Sequence, residues 1–197
     1  MTPKLRALLG AVLLVVPLDQ ASKLWVVSHV HYADRIPLVD GLLFLTHVRN
    51  PGAAFGVLAG AQPGARAAFF VGIALVAIVV ILSFFRRLAP GDRLSALALG
   101  LVLGGATGNL LDRVLRGEVV DFLHVRLWGG RAWPDFNLAD ASIVVGVGLL
   151  VLELVASEGE TRAQGSAAAG GAASPSGTPT SVRGPTDGGD SPSGERG

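Results

Sequence analysis

The chain has no cysteine among its 197 residues. Disulfides, thiolate metal ligands and thiol nucleophiles are therefore excluded, and no thiol is available to carry a lipid. Charge is also scarce. Asp, Glu, Lys and Arg make up 16%, against 50% hydrophobic residues, and the mean hydropathy is +0.54. An ordinary soluble domain with half its residues apolar carries about a quarter charged ones, so this composition points to a membrane. There is no basic run and the net charge is +1, so nothing suggests nucleic acid. A Gly-x-Ser-x-Gly elbow is missing. His29, His31, His47 and His124 show no His-Glu-x-x-His spacing. No metal or cofactor is expected. Ser22 or Ser28 with Lys23 would make a serine–lysine dyad only if neighbouring residues on a helix did not diverge.

The last 41 residues lack something else. Residues 157–197 contain no Leu, Ile, Phe, Trp or Tyr. Such a stretch cannot bury enough apolar surface to offset its ordering entropy. It reads as a disordered tail, and 1–156 as the membrane domain.

Four hydrophobic segments fill that domain. Ala67–Phe85 and Leu94–Leu111 are uncharged throughout, the first closed by Arg86-Arg87 and the second by Asp112-Arg113. The first segment, Leu5–Val27, contains Asp19 and Lys23; the fourth, Leu138–Ala156, contains Asp140 and Glu153. A bilayer crossing takes about 20 residues. Ala141–Leu152 alone is too short, so the fourth span must include Asp140. A signal peptide is the rival reading of the first segment, but no small-x-small cleavage pattern follows it. The fold class expected is an all-α membrane protein, a four-transmembrane-helix bundle. Residues 36–48 read as a β-hairpin turning at Asp40-Gly41, and a second hairpin is expected near Gly129-Gly130. These would form a small extracytoplasmic sheet.

Basic residues occur in loops on both sides, so the positive-inside rule is weak here. The short 86–93 loop is its clearest counter and puts both termini in the cytoplasm. Trp25, Trp128 and Trp133 then share the opposite interface, as an aromatic belt does.

The ionisable residues gather at one membrane level. Asp19 and Lys23 lie near the outer end of the first span. Asn109, Asp112 and Arg113 close the third, Asn137 and Asp140 open the fourth, and Asp121 lies between them. A carboxylate at membrane depth costs about 2.5–3.5 kcal/mol on insertion scales, and by default marks a functional site. Ordinary roles compete with that reading. Asp19 and Lys23 have the spacing of a simple helical ion pair. Asn137 can cap a helix and place Asp140 at its third position. Asp112 is harder to explain, because a helix C-terminus disfavours negative charge. Gly100, Gly104 and Gly108 form a small-residue face that lets another helix approach.

Paired aspartates are the chemistry left standing. Two carboxyls held close in a poorly solvated site cannot both ionise, so one acts as base and one as acid. Asp19, Asp112, Asp121 and Asp140 are the candidates, and spacing alone does not choose among them.

Five stretches, "DQASK" (19–23), "RNPGAAFG" (49–56), "GGATGNLLDR" (104–113), "VVDF" (119–122) and "FNLADA" (136–141), occur in that order. Together they resemble the motifs of the lipoprotein signal peptidase (signal peptidase II) family. The resemblance covers about 150 residues and not the tail. It implies a membrane aspartic peptidase with Asp121 and Asp140 as the catalytic pair. Asp19, Lys23, Asn50, Asn109, Asp112, Arg113 and Asn137 match the family's other polar positions. It further implies a bacterial inner-membrane location, and a prolipoprotein substrate carrying diacylglycerol on its cysteine, cut just before that residue. Membrane lipid is a further partner, and a monomer is expected. The alternative is a small transporter or an ion- or proton-conducting protein, but residues 7–16, 67–82 and 96–104 contain no ionisable group for a relay.

Overall fold

The structure, a computed structural model, describes residues 1–52, 60 and 62–171, with side chains to Gly159. Four helices dominate: α1 (Pro3–His29), α2 (Pro63–Arg87), α3 (Arg93–Arg116) and α4 (Leu138–Gly171). All four are long and apolar enough to cross a membrane, α4 over Leu138–Gly159. The first segment is thus a full helix of the bundle. Three strands, β1 (Arg35–Val39), β2 (Leu43–Asn50) and β3 (Val119–Val125), form one antiparallel sheet in that order.

The burial pattern is that of a protein dissolved in lipid. Large apolar side chains such as Ile73, Val76, Val79 and Phe84 of α2 are exposed, while Asp19, Lys23, Asp112, Asp121 and Asn137 are buried. Only the backbone's own helical hydrogen bonds make such a surface tolerable in hydrocarbon. One apolar core joins Leu8, Ile81, Leu99 and Leu103; another joins Val26 and Val30 to Val120 and Phe122, fastening the sheet to α1.

Helix ends follow local chemistry. Asp92 caps α3 through the Ser95 amide at 3.1 Å, and Gly117, at φ 78°, ends it in the left-handed conformation a C-cap requires. Lys4 donates to the Leu88 carbonyl at 2.6 Å, where the C-terminal end of α2 favours a cation.

The glycine face does what its spacing suggested, against α1. A Cβ on Gly100 would lie 2.7 Å from the Leu8 carbonyl oxygen, and one on Gly104 would lie 2.9 Å from the Val15 Cβ. A Cβ on Gly108 would lie 2.5 Å from Asp19 Oδ2. Gly105 faces the other way, toward Ser142 and Ile143 of α4. Helix α3 is therefore the central post of the bundle.

The first hairpin forms as expected, with β1 and β2 joined by a turn at Asp40-Gly41. The second is looser. After β3 the chain makes a short turn at Trp128–Gly130 and returns through two single bridges, Arg126–Ala132 and Leu123–Phe136. Helix α4 runs on to Gly171, past the boundary expected at Ala156. The rest of the expected tail, 172–197, lies outside the described residues, as do residues 53–56 of the second motif.

Gly100→Ile should lower thermal stability by about 1–3 kcal/mol, the usual cost of overpacking. Gly72→Ala, on the open face of α2 with nothing within 4 Å of its Cβ position, should leave stability unchanged or slightly raised. Equal melting curves for Gly100→Ile and wild type would contradict this packing.

Candidate active site

Lys23 is the centre of the polar cluster and is wholly buried. Its ammonium lies 2.8 Å from Asp19 Oδ2 and 3.0 Å from Asp112 Oδ2, and donates to Asn109 Oδ1 at 3.1 Å. An ammonium has three protons and here has three acceptors. The Asp19–Lys23 spacing suggested an ordinary ion pair worth a few tenths of a kcal/mol. The structure corrects that: the pair is buried and joined to α3.

Asp112 is compensated on every side. Besides Lys23 it accepts from the Arg116 guanidinium, from Gln20 Nε2 at 3.2 Å and from the Val120 amide at 3.1 Å. The helix-dipole penalty that made it conspicuous is answered by two cations and a strand amide. Neither Gln20 nor Arg116 was expected here. Arg116 was findable, because it stands four residues after Asp112 on the same helix.

The N-terminus of α4 receives two of the predicted carboxylates. Asp19 Oδ1 accepts from the Ala139 amide at 3.0 Å. Asn137 Oδ1 accepts from the Asp140 amide at 3.0 Å, while Asp140 Oδ2 accepts from the Asn137 amide at 3.2 Å. That reciprocal pair is a capping box. Asp140 is therefore tied into the cap of α4 by both its backbone amide and its carboxylate.

Asn137 also reaches Asp121. Its Nδ2 donates to Asp121 Oδ1 at 2.7 Å and to Asn109 Oδ1 at 3.2 Å. Asn109 Nδ2 donates in turn to Asp140 Oδ1 at 2.7 Å. Asp121 and Asp140 are thus joined through two asparagines, which between them connect back to Lys23. The other Asp121 oxygen accepts from Asn50 Nδ2 at 2.9 Å. Asn50 is aimed by the Gly52 amide, which donates to its Oδ1 at 2.9 Å. Gly52 has φ 90°, and a Cβ there would run into the Phe70 ring, so glycine is required.

Arg113 stands beside the pair without an ion pair to it. Its guanidinium donates to the Asn109 carbonyl at 3.1 Å and lies 5.3 Å from the Phe70 ring centroid. Its charge acts on Asp140, Asp121 and Asp112 at longer range. All nine residues singled out from the sequence therefore meet in one continuous cluster.

The two central carboxyls sit in unlike surroundings. Asp121 is 2% exposed, whereas Asp140 is part-exposed. Burial, with the charge of Asp140 added, pushes the Asp121 carboxyl up to about 6, against the lowering effect of the Asn50 and Asn137 hydrogen bonds.

Comparison with known proteins bears on the family and the fold. The family described as signal peptidase (SPase) II matches residues 11–156. A lipoprotein signal peptidase of Syntrophus aciditrophicus is 44% identical over 147 residues, covering 75% of this chain and 91% of that one. One from Geobacter metallireducens is 44% identical over 152 residues, 77% of this chain and 91% of its own length. Two solved structures of a bacterial membrane enzyme, each 33% identical, superpose with TM-scores of 0.66 and 0.67. They cover 75% of this chain and 87% and 91% of theirs. Membrane-spanning helices, a small sheet at the polar end and these relatives lead to one conclusion: the chain is a bacterial membrane protein that belongs to the signal peptidase II family of lipoprotein-processing peptidases.

Proposed function

We propose that the chain is an aspartic endopeptidase whose catalytic pair is Asp121 and Asp140. One observation carries the reading: Asn137 hydrogen-bonds both residues, so the two carboxyls are set by a single side chain and its amide. Asp140, seated at a helix N-terminus, is the base. Asp121, buried and with raised proton affinity, is the acid. Asp140 takes a proton from a water, whose oxygen bonds to the scissile carbonyl carbon. Asp121 gives its proton to the carbonyl oxygen. Asp140 then passes its proton to the amide nitrogen as the C–N bond breaks, and Asp121 recovers a proton from the resulting diol. No metal or covalent intermediate takes part. Arg113 supplies positive charge beside the developing oxyanion.

The substrate is a prolipoprotein already carrying diacylglycerol on its cysteine, cut just before that residue. A signal peptide is a membrane helix and the diacylglycerol is a membrane ligand, so the scissile bond meets carboxylates held at the bilayer surface. Both termini are cytoplasmic, and the site lies near the outer leaflet of the inner membrane. Residues 1–156 are the peptidase unit, a monomer, and 157–197 are dispensable for cleavage. The conductor alternative has no support in the middle of the bundle, where residues 7–16, 67–82 and 96–104 carry no ionisable group.

Purified protein in liposomes should cleave a diacylglyceryl-modified prolipoprotein, and so should a truncation after Ala156. Asp121→Asn and Asp140→Asn should fold and lose about 10²–10⁴-fold in rate, the scale of acid–base catalysis. Normal cleavage by either Asn variant would sink the dyad.

The pH profile is a second test. Because Asp121 must hold its proton, kcat/KM should fall as pH rises through an apparent value of about 6. Asn50→Ala removes a hydrogen bond that favours the ionised carboxylate. The proton is then held more tightly, so the descending limb should move to higher pH. A limb that stays in place or moves down would contradict the assignment.

A further inference from the structure

A second polar cluster lies on the sheet, beyond the nine site residues. Asp135 Oδ1 accepts from Thr46 Oγ1 at 3.1 Å and from His124 Nδ1 at 3.1 Å. Thr46 is 2% exposed and His124 6%, so two buried polar side chains from two strands converge on one carboxylate. None of the three belongs to the motifs that carry the family resemblance.

The register of the sheet explains how they meet. Leu45 pairs with Leu123 and Val48 with Asp121, so Thr46 and His47 on β2 stand opposite Phe122 alone. That is a β-bulge, a device that re-aims side chains and recurs beside active sites. It lies immediately next to Asp121 and turns the Thr46 hydroxyl toward Asp135. His124 is seated by Phe44, directly opposite it on β2, with ring centroids 6.1 Å apart.

Asp135 stands two residues before Asn137, at the end of the irregular stretch between β3 and α4. That stretch has to deliver Asn137 to Asp121 with a 2.7 Å hydrogen bond. Its backbone is pinned at Phe136, which donates to the Leu123 carbonyl at 3.0 Å and accepts from the Phe122 and Leu123 amides at 3.0 and 2.9 Å. Further upstream the Trp133 amide donates to the Val125 carbonyl at 2.8 Å and Arg126 bridges Ala132. To these backbone ties the Asp135 side chain adds a side-chain attachment to both β2 and β3, two residues before Asn137.

We propose that Asp135, held by Thr46 and His124, is a positioning residue of the aspartate pair: it locks the β3–α4 connection onto the sheet so that Asn137 spans Asp121 and Asp140. The inference rests on Asp121 and Asp140 being that pair. Asp135 touches neither of them and acts through Asn137. A misplacement of about 1 Å in a catalytic constellation can cost on the order of 10²-fold in rate, so the strut is felt in kcat and not in substrate binding. It also acts on Asp121, because a loosened Asn137 donates a poorer hydrogen bond to the carboxylate and the proton stays on to higher pH.

The test is steady-state cleavage in liposomes by wild type, Asp135→Ala, Asp135→Asn and Thr46→Val, with melting temperatures and pH profiles. Asp135→Ala should lower kcat by about 10–100-fold with KM nearly unchanged, and move the descending pH limb upward. Asp135→Asn keeps an oxygen that accepts from both Thr46 and His124, so it should recover most of the rate. Thr46→Val removes one bond without changing shape and should give a smaller loss in the same direction, which keeps the test open if Asp135→Ala folds poorly. A wild-type kcat in Asp135→Ala overturns the proposal. So does a loss shared by Asp135→Asn, which would assign the effect to charge, or a fall in melting temperature with an unmoved pH limb. Asp121→Asn and Asp140→Asn run alongside. If they are inert while Asp135→Ala cuts normally, only the strut fails; if they cut normally, the dyad itself fails.

Discussion

An ammonium buried inside a membrane bundle must find an acceptor for each of its protons, and Lys23 finds them on two helices. Asp19 comes from its own helix, Asp112 and Asn109 from α3. With Arg116 on the far side of Asp112, two cations face two carboxylates. In a low-dielectric interior that balance is decisive, because removing one partner of a buried pair leaves an uncompensated charge. The helices therefore cannot slide or rotate past one another without losing it. The glycine face permits the close approach of α1 and α3, and the charges set its register.

From that anchor the order spreads outward by hydrogen bonds. Asp19 carries it to the first turn of α4 through the Ala139 amide. Asn109 carries it to Asp140, and Asn137 carries it to Asp121 on the sheet. Elements that arrive from four places in the chain are thereby bound to one polar cluster at one end of the bundle. In the proposed mechanism the aspartates differ because their surroundings differ. One caps a helix at a part-exposed position, and the other is sealed between a strand and two asparagines.

Much of this was legible in the sequence. Apolar runs of helical length, two of them uncharged throughout, marked the spans, and Asp40-Gly41 between two apolar stretches marked the hairpin. The level at which Asp19, Lys23, Asn109, Asp112, Asn137 and Asp140 sit followed from chain direction alone. What remained hidden was which partner each would take. The Asp19–Lys23 spacing fits a solvated surface pair as well as a buried one, since periodicity does not tell which face α3 covers. Asp135 was not singled out, because its proposed role depends on a β-bulge that only the pairing of β2 with β3 defines. The extension of α4 to Gly171 was missed for a related reason: composition there argues against packing, but alanine favours helix where no packing is needed.

The most direct test of this account is the folding stability of Lys23→Met beside Lys23→Met/Asp19→Asn, measured in one detergent or bilayer. The single variant leaves two buried carboxylates facing one cation, and should lose about 3–5 kcal/mol, as broken buried pairs do. The double variant restores neutrality and keeps an oxygen for the Ala139 amide, so it should regain most of that loss. If Lys23→Met is as stable as wild type, the buried ammonium does not hold the bundle together.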